Sequence, residues 1–169
     1  MFDFSEPIGF TIFCDDIREE TGGKTTFVGA YDAVMVIHAA FPTMLPKFGF
    51  HIRIYEPANL ITQRNFPIEV SIHLPGDPEQ EPSFSRVLPA DPEAARAELA
   101  RLPWRPTGER PLLARITLNW IVSPLVLKEP GAIRVLANYK GDILRCGTLQ
   151  VIPATAVTPV SNSDEQSAC

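Results

Sequence analysis

The stretch I-G-F-T-I-F-C (Ile8–Cys14), D-D-I-R-E-E-T-G-G-K (Asp15–Lys24), T-T-F-V-G-A-Y (Thr25–Tyr31) decides the fold. Two apolar, β-prone runs flank a polar segment that closes on Gly22-Gly23, which is how a β-hairpin or β-arch is written. In the first run Ile8, Phe10, Ile12 and Cys14 share one face of a strand, and Gly9, Thr11 and Phe13 share the other. The charged segment Asp15–Thr21 reads as the connection. In the run that follows, Phe27 and Tyr31 lie on one face with Gly29 between them, a position that marks a bulge or a close backbone approach.

Outward from this stretch the same alternation recurs almost to Ile152. A third strand is expected over Ala33–Ala40, followed by a proline-punctuated connection, Phe41–Pro46. Lys47–Tyr55 puts Phe48, Phe50, Ile52 and Ile54 on one face and Gly49, His51, Arg53 and Tyr55 on the other. Asn65–Leu74 repeats the design, with Glu69, Ser71 and His73 opposite its apolar set. Pro75–Pro82 is an acidic, turn-rich loop, and a short strand follows at Ser83–Leu88. Asp91-Pro92-Glu93 is a helix start: an N-cap acceptor, a proline at the first helical position and an acid at the positive dipole end. The helix is expected to run to about Leu102. Pro111–Val122 returns to strand, with Leu118 and Trp120 on the core side and Arg115, Thr117 and Asn119 on the other. A short strand at Leu125–Lys128 precedes a closing hairpin, Ala132–Tyr139 with Asp142–Ile152. Its loop holds either two residues, pairing Tyr139 with Asp142, or three, pairing Tyr139 with Ile143. Gly147 is a candidate bulge. Eight to ten strands and one short helix make an all-β protein, an antiparallel sandwich of immunoglobulin-like or similar kind. One domain over 1–152 and a polar tail over 153–169 follow.

Composition agrees. Seventeen prolines in 169 residues are about twice the usual share of roughly 5%, and proline belongs in connections and at strand ends. The formal net charge is −5, with 15 Lys and Arg scattered singly. A polyanion binder needs a basic stripe to release counterions, so no nucleic-acid partner is expected. The acidic start M-F-D-F-S-E-P does not read as a signal peptide, and no apolar run approaches the roughly 20 residues that span a bilayer. A cytoplasmic protein with no membrane partner is the expectation. Cys14, Cys146 and Cys169 form no C-x-x-C pair, and an odd count argues against a disulfide framework.

The block Cys14-Asp15-Asp16-Ile17-Arg18, Gly23-Lys24 and Gly29-Ala30-Tyr31 resembles the N-terminal signature of an uncharacterised bacterial family found in proteobacteria. The F-P-x-x-L-P segment at Phe41–Pro46 resembles its next element. The closing hairpin is similar to the last two strands of many immunoglobulin-like sandwiches, with Leu149 and Val151 at the strand end. The family resemblance implies no established activity, so it assigns no catalytic residue.

Two polar constellations are candidates for a site. Asp15, Asp16, Arg18 and Lys24, with Glu19 and Glu20, form the densest charged cluster, a candidate partner-binding loop. They lack the D-x-D-x-D-G spacing of a calcium loop, and no metal site is expected. His51, Arg53, Glu69 and His73, with Ser71, would share one outward face if their strands were neighbours, and could do acid–base work there. Polar residues on a solvated sheet face are expected in any case. Cys14 lies beside two carboxylates that suppress its thiolate. Trp104, in the proline-rich segment after the helix, is a candidate aromatic contact. Gly22-Gly23-Lys24 lacks the rest of a phosphate-loop motif.

The first reading is therefore a non-enzymatic binding or self-associating module, with a protein partner or a second copy and no cofactor. An alternative is a small-ligand binder or enzyme with a pocket near the 75–110 insertion. A phage-derived structural component is a third.

Overall fold

The alternation becomes twelve strands and two short α-helices in a computed structural model that describes residues 6–101 and 113–156. In chain order they are β1 (Ile8–Cys14), β2 (Asp16–Glu20), β3 (Lys24–Val28), β4 (Val34–Ile37), β5 (Thr43–Leu45), β6 (Phe48–Pro57), α1 (Ala58–Ile61), β7 (Ile68–His73), β8 (Phe84–Leu88), α2 (Pro92–Ala100), β9 (Leu113–Val122), β10 (Leu125–Leu127), β11 (Gly131–Tyr139) and β12 (Asp142–Pro153). A three-stranded sheet in the order β1-β6-β9 faces a five-stranded sheet in the order β4-β12-β11-β7-β8. Two ribbons, β2-β3 and β5-β10, complete the set. Every pairing is antiparallel except β4 with β12.

Between the sheets lie the alternate residues that the pattern marks as apolar. Phe13, Phe48, Phe50, Ile52 and Ile54 come from one sheet, and Ile68, Val70, Ile72, Val135, Leu149 and Val151 from the other. Phe50 meets Phe13 and Phe48 edge-on, with ring centroids 6.0 and 5.1 Å apart, the geometry that the aromatic quadrupole favours. Of the two faces of β1, the inner one carries Thr11 and Phe13, while Ile8 and Phe10 are exposed. Small residues let β1 close on β12: Gly9 lies against Cys146, and a Cβ on Gly147 would stand 2.9 Å from that of Thr11.

Several expectations change in the fold. The charged segment is not a connector. Asp16–Glu20 pairs with Lys24–Val28, so it is strand β2, and the turn shrinks to residues 21–23. Charge hides strand character there because only Ile17 is buried. The expected third strand contracts to Val34–Ile37, and the Phe41–Pro46 connection contains β5, which pairs with β10. Helix α1 leaves no mark in the sequence pattern, since four residues are too few to show a 3.6-residue period. Helix α2 starts as read, with the Ala94 amide donating to Asp91 Oδ1 at 2.8 Å, and ends at Ala100; Leu102 lies outside the described residues. Trp120 is half-buried rather than central, and seals the seam between β9 and β8 against Phe84, 6.1 Å away. The closing hairpin takes the two-residue loop, pairing Tyr139 with Asp142, and the register shifts opposite Cys146–Gly147, a β-bulge.

The largest correction concerns the four-residue polar face. β6 neighbours β1 and β9, whereas β7 neighbours β11 and β8. His51 and Arg53 therefore point outward from one sheet, and Glu69 and His73 from the other, on opposite sides of the sandwich. Equal alternation in two strands says which residues face out, not which strands pair.

Candidate functional site

The outer face of β1-β6-β9 gathers the polar groups. Register aligns them in rows across the sheet: Ile8–Tyr55–Arg115, Phe10–Arg53–Thr117, Ile12–His51–Asn119 and Cys14–Gly49–Ile121. The β2-β3 ribbon folds over one end of this face. Gly49 permits it: a Cβ there would lie 2.8 Å from Ile17 Cγ1 and 3.1 Å from Cys14 Sγ. The Phe27 ring covers the His51 imidazole, centroids 4.7 Å apart, and His51 is left 1% exposed.

The base of the ribbon explains the Cys-Asp-Asp block. Gly29 has φ +62°, and any side chain there would strike the Asp15 carboxylate. The Tyr31 hydroxyl donates to Asp15 Oδ1 at 2.7 Å, and its ring stacks on Phe48 at 5.8 Å. Asp16 forms ion pairs with Lys47 and with Arg18, the latter at 3.2 Å. Lys47, then Arg18, holds the Asp16 carboxyl below its ordinary range. Lys24 stands across from Glu20 at the turn. The ribbon thus employs Asp15 and Asp16 in its own anchorage and brings Phe27 over His51 and Glu19 to Asn119. Trp104 lies outside the described residues.

Beneath the ribbon runs a directional chain of hydrogen bonds. Arg53 Nε donates to His51 Nε2 at 2.7 Å. A guanidinium only donates, so Nε2 is the acceptor and the imidazole proton sits on Nδ1. That proton is shared with Asn119 Oδ1 at 2.5 Å, and Asn119 Nδ2 donates to Glu19 Oε1 at 3.0 Å. Burial lowers the His51 pKa, with Arg53 and Arg115 adding to it and Asn119 opposing. The ring is neutral and has both nitrogens engaged, so it is an orienting group for Arg53. Among the described residues neither Arg53 nor Arg115 has an acidic partner within ion-pair distance.

At its other end the face opens into a cleft of about 510 Å³ beside α2, lined among the described residues by Tyr55, Ile61, Leu99, Leu113 and Arg115. Phe10, on the row next to Tyr55 and Arg115, is 50% exposed. On the opposite side of the sandwich, Glu69 accepts from Ser85 Oγ at 2.7 Å, and His73 is buried next to Ser71. Those two residues belong to a separate surface.

Other reactive groups are muted. Burial pushes the Cys14 thiol up to about 11, with Asp15 and Asp16 adding to it, and burial alone takes Cys146 to about 11. Among the described residues no three His, Cys, Asp or Glu side chains converge as metal ligands would. None of the helices there is long and apolar enough to cross a membrane.

A buried ion pair was invisible in the sequence. Glu56, fully buried on the core face of β6, lies 3.4 Å from Arg64 Nε, itself 7% exposed. Glu56 reads as one more polar residue near a strand end, and Arg64 as a loop residue; only the chain reversal through α1 joins them. Arg115, Thr117 and Asn119 could be grouped from alternation, but their alignment with Arg53 needed the pairing of β9 with β6. Comparison of the chain with protein-family models, with curated proteins and with solved structures gives no match.

Proposed function

We propose that this protein is a non-enzymatic recognition module that takes up its partner on the outer face of β1-β6-β9, between the ribbon and α2. One observation carries the reading: Arg53 is held in orientation by a neutral, buried histidine, on an open face beside the exposed Phe10 and with no acidic partner among the described residues. A guanidinium fixed in this way is costly in side-chain entropy unless a ligand uses it, and aromatic and arginine side chains supply much of the energy of binding surfaces. Catalysis is disfavoured by chemistry. His51 has no free nitrogen to exchange a proton, and the raised thiols hold little thiolate at neutral pH. Two buried free thiols suit a reducing compartment, which fits work in a bacterial cytoplasm. The cleft beside α2 favours a second reading, in which the ligand is a small molecule.

The test compares affinity capture from the native host by wild type, Phe10→Asp and Val87→Asp, the last on β8 of the other sheet. A partner retained by wild type and Val87→Asp but lost by Phe10→Asp supports the reading. Equal recovery by all three overturns it.

A further inference from the structure

We infer that Arg53, Thr117, Tyr55 and Arg115, running into the cleft beside α2, form a subsite for a single carboxylate carried on an apolar group; this rests on the binding face proposed above. Register sets the layout. Arg53 is opposite Thr117, and Tyr55 is opposite Arg115, so the two arginines are diagonal neighbours with backbones about 7–8 Å apart, a span that long side chains bridge. Both cations add to the burial that lowers the His51 pKa. With Nε of Arg53 taken by His51, its two Nη groups remain, and these form the end-on fork that matches the two oxygens of a carboxylate. Thr117, exposed between them, offers a hydroxyl.

The rest of the site limits the ligand. Ile61, Leu99 and Leu113 make the far wall apolar, and about 510 Å³ is within the range of small-molecule clefts, roughly 300–1,000 Å³. Glu98 also lines the cleft, with its carboxylate ion-paired to Arg101 at 3.8 Å. Two guanidiniums on a chain of net charge −5 do not make the stripe that a polyanion requires. The same chemistry occurs in a small aryl or alkyl carboxylic acid and in the C-terminal residue of a peptide with an apolar last side chain.

The experiment uses the full chain, titrated with 3-phenylpropionate, with 3-phenylpropanamide, and with the peptide acetyl-Ala-Ala-Ala-Leu as free acid and as amide. Amide-proton shifts report the location and calorimetry reports the affinity. The expected result is saturable binding of at least one acid, with shifts at Tyr55, Arg115 and Thr117. Its amide counterpart should bind about tenfold more weakly or worse, as should the acid to Arg115→Ala. Which acid binds distinguishes a free metabolite-like ligand from a peptide terminus. Arg115 is exposed, so its variant tests the site without challenging the fold, and Arg53→Gln is the second arm. Equal binding of acid and amide, both abolished by Leu99→Glu, overturns the carboxylate assignment and leaves the face as a binding surface. Acid binding unchanged in both arginine variants, or no shift from any probe at millimolar concentration, also overturns the inference. The capture result with Phe10→Asp then judges the face independently.

Discussion

Replacing Arg64 with methionine removes the cation from a fully buried carboxylate. Glu56 has no exposure, and Arg64 is its ion-pair partner at 3.4 Å. Neither Glu56 oxygen has a well-formed hydrogen bond; the Arg64 charge is the main offset to its desolvation, and the Tyr139 hydroxyl gives a smaller one. Breaking such a pair from one side costs about 3–5 kcal/mol, because the survivor stays buried and charged. For a domain of this size each kcal/mol moves the midpoint by about 2–4 °C, which gives a loss of about 6–20 °C. The loss should depend on pH in one direction. Burial raises the Glu56 pKa while Arg64 opposes the rise, and without Arg64 the folded-state value climbs further. A carboxyl whose folded pKa lies above its unfolded one costs nothing while protonated in both states, below the unfolded value, and destabilises increasingly as pH rises through the folded one. The deficit of Arg64→Met relative to wild type, measured by differential scanning calorimetry, should therefore narrow from pH 8 to pH 5. The double variant Glu56→Gln, Arg64→Met should recover most of the midpoint at pH 8. A deficit that is flat with pH, together with no recovery in the double variant, would refute the argument that an uncompensated charge is the cause.

Four further outcomes follow from the site and its supports. His51 is neutral in the fold because burial lowers its pKa, so its contribution is intact above the ordinary value of about 6.5 and is lost as pH falls below it. His51→Gln, which keeps one donor and one acceptor, should lose less midpoint than wild type between pH 7.5 and pH 5; equal losses would count against it. Gly49→Ala drives a methyl into Ile17 and Cys14 and should cost about 1–3 kcal/mol by overpacking, seen in urea unfolding, with the Phe27 and His51 signals shifting together in NMR spectra. Gly29→Ala strains a left-handed residue against the Asp15 carboxylate and should cost about 1–3 kcal/mol, partly restored by Asp15→Gly; a neutral effect would contradict the close approach. In native protein Cys14 and Cys146 should resist a thiol reagent at pH 8 because both thiols titrate near 11; rapid reaction of more than one thiol would show that they are not buried.

How much was legible depends on the distance over which each feature is written. Alternation in Phe48–Tyr55 and Ile68–His73 identifies inward and outward residues from the pleat alone, and Asp91-Pro92-Glu93 identifies a helix start from local capping chemistry. The ribbon β2-β3 was half legible: its glycine turn was clear, but five residues with one buried side chain look like a loop until their partner strand is known. His51 and His73 likewise share an outward parity, yet strand pairing puts them in different sheets.

From its own residues the chain determined an all-β sandwich with a closing hairpin and one capped helix, because backbone pleat, turn residues and helix caps act over a few neighbouring positions. Only the tertiary structure decided that β6 sits between β1 and β9, that the charged segment folds over His51, and that Arg53 and Arg115 share a face which runs into a cleft. Strand pairing joins residues some 60 positions apart, as with Arg53 and Thr117, and outward-facing side chains in different strands carry no mark of which neighbour they will meet.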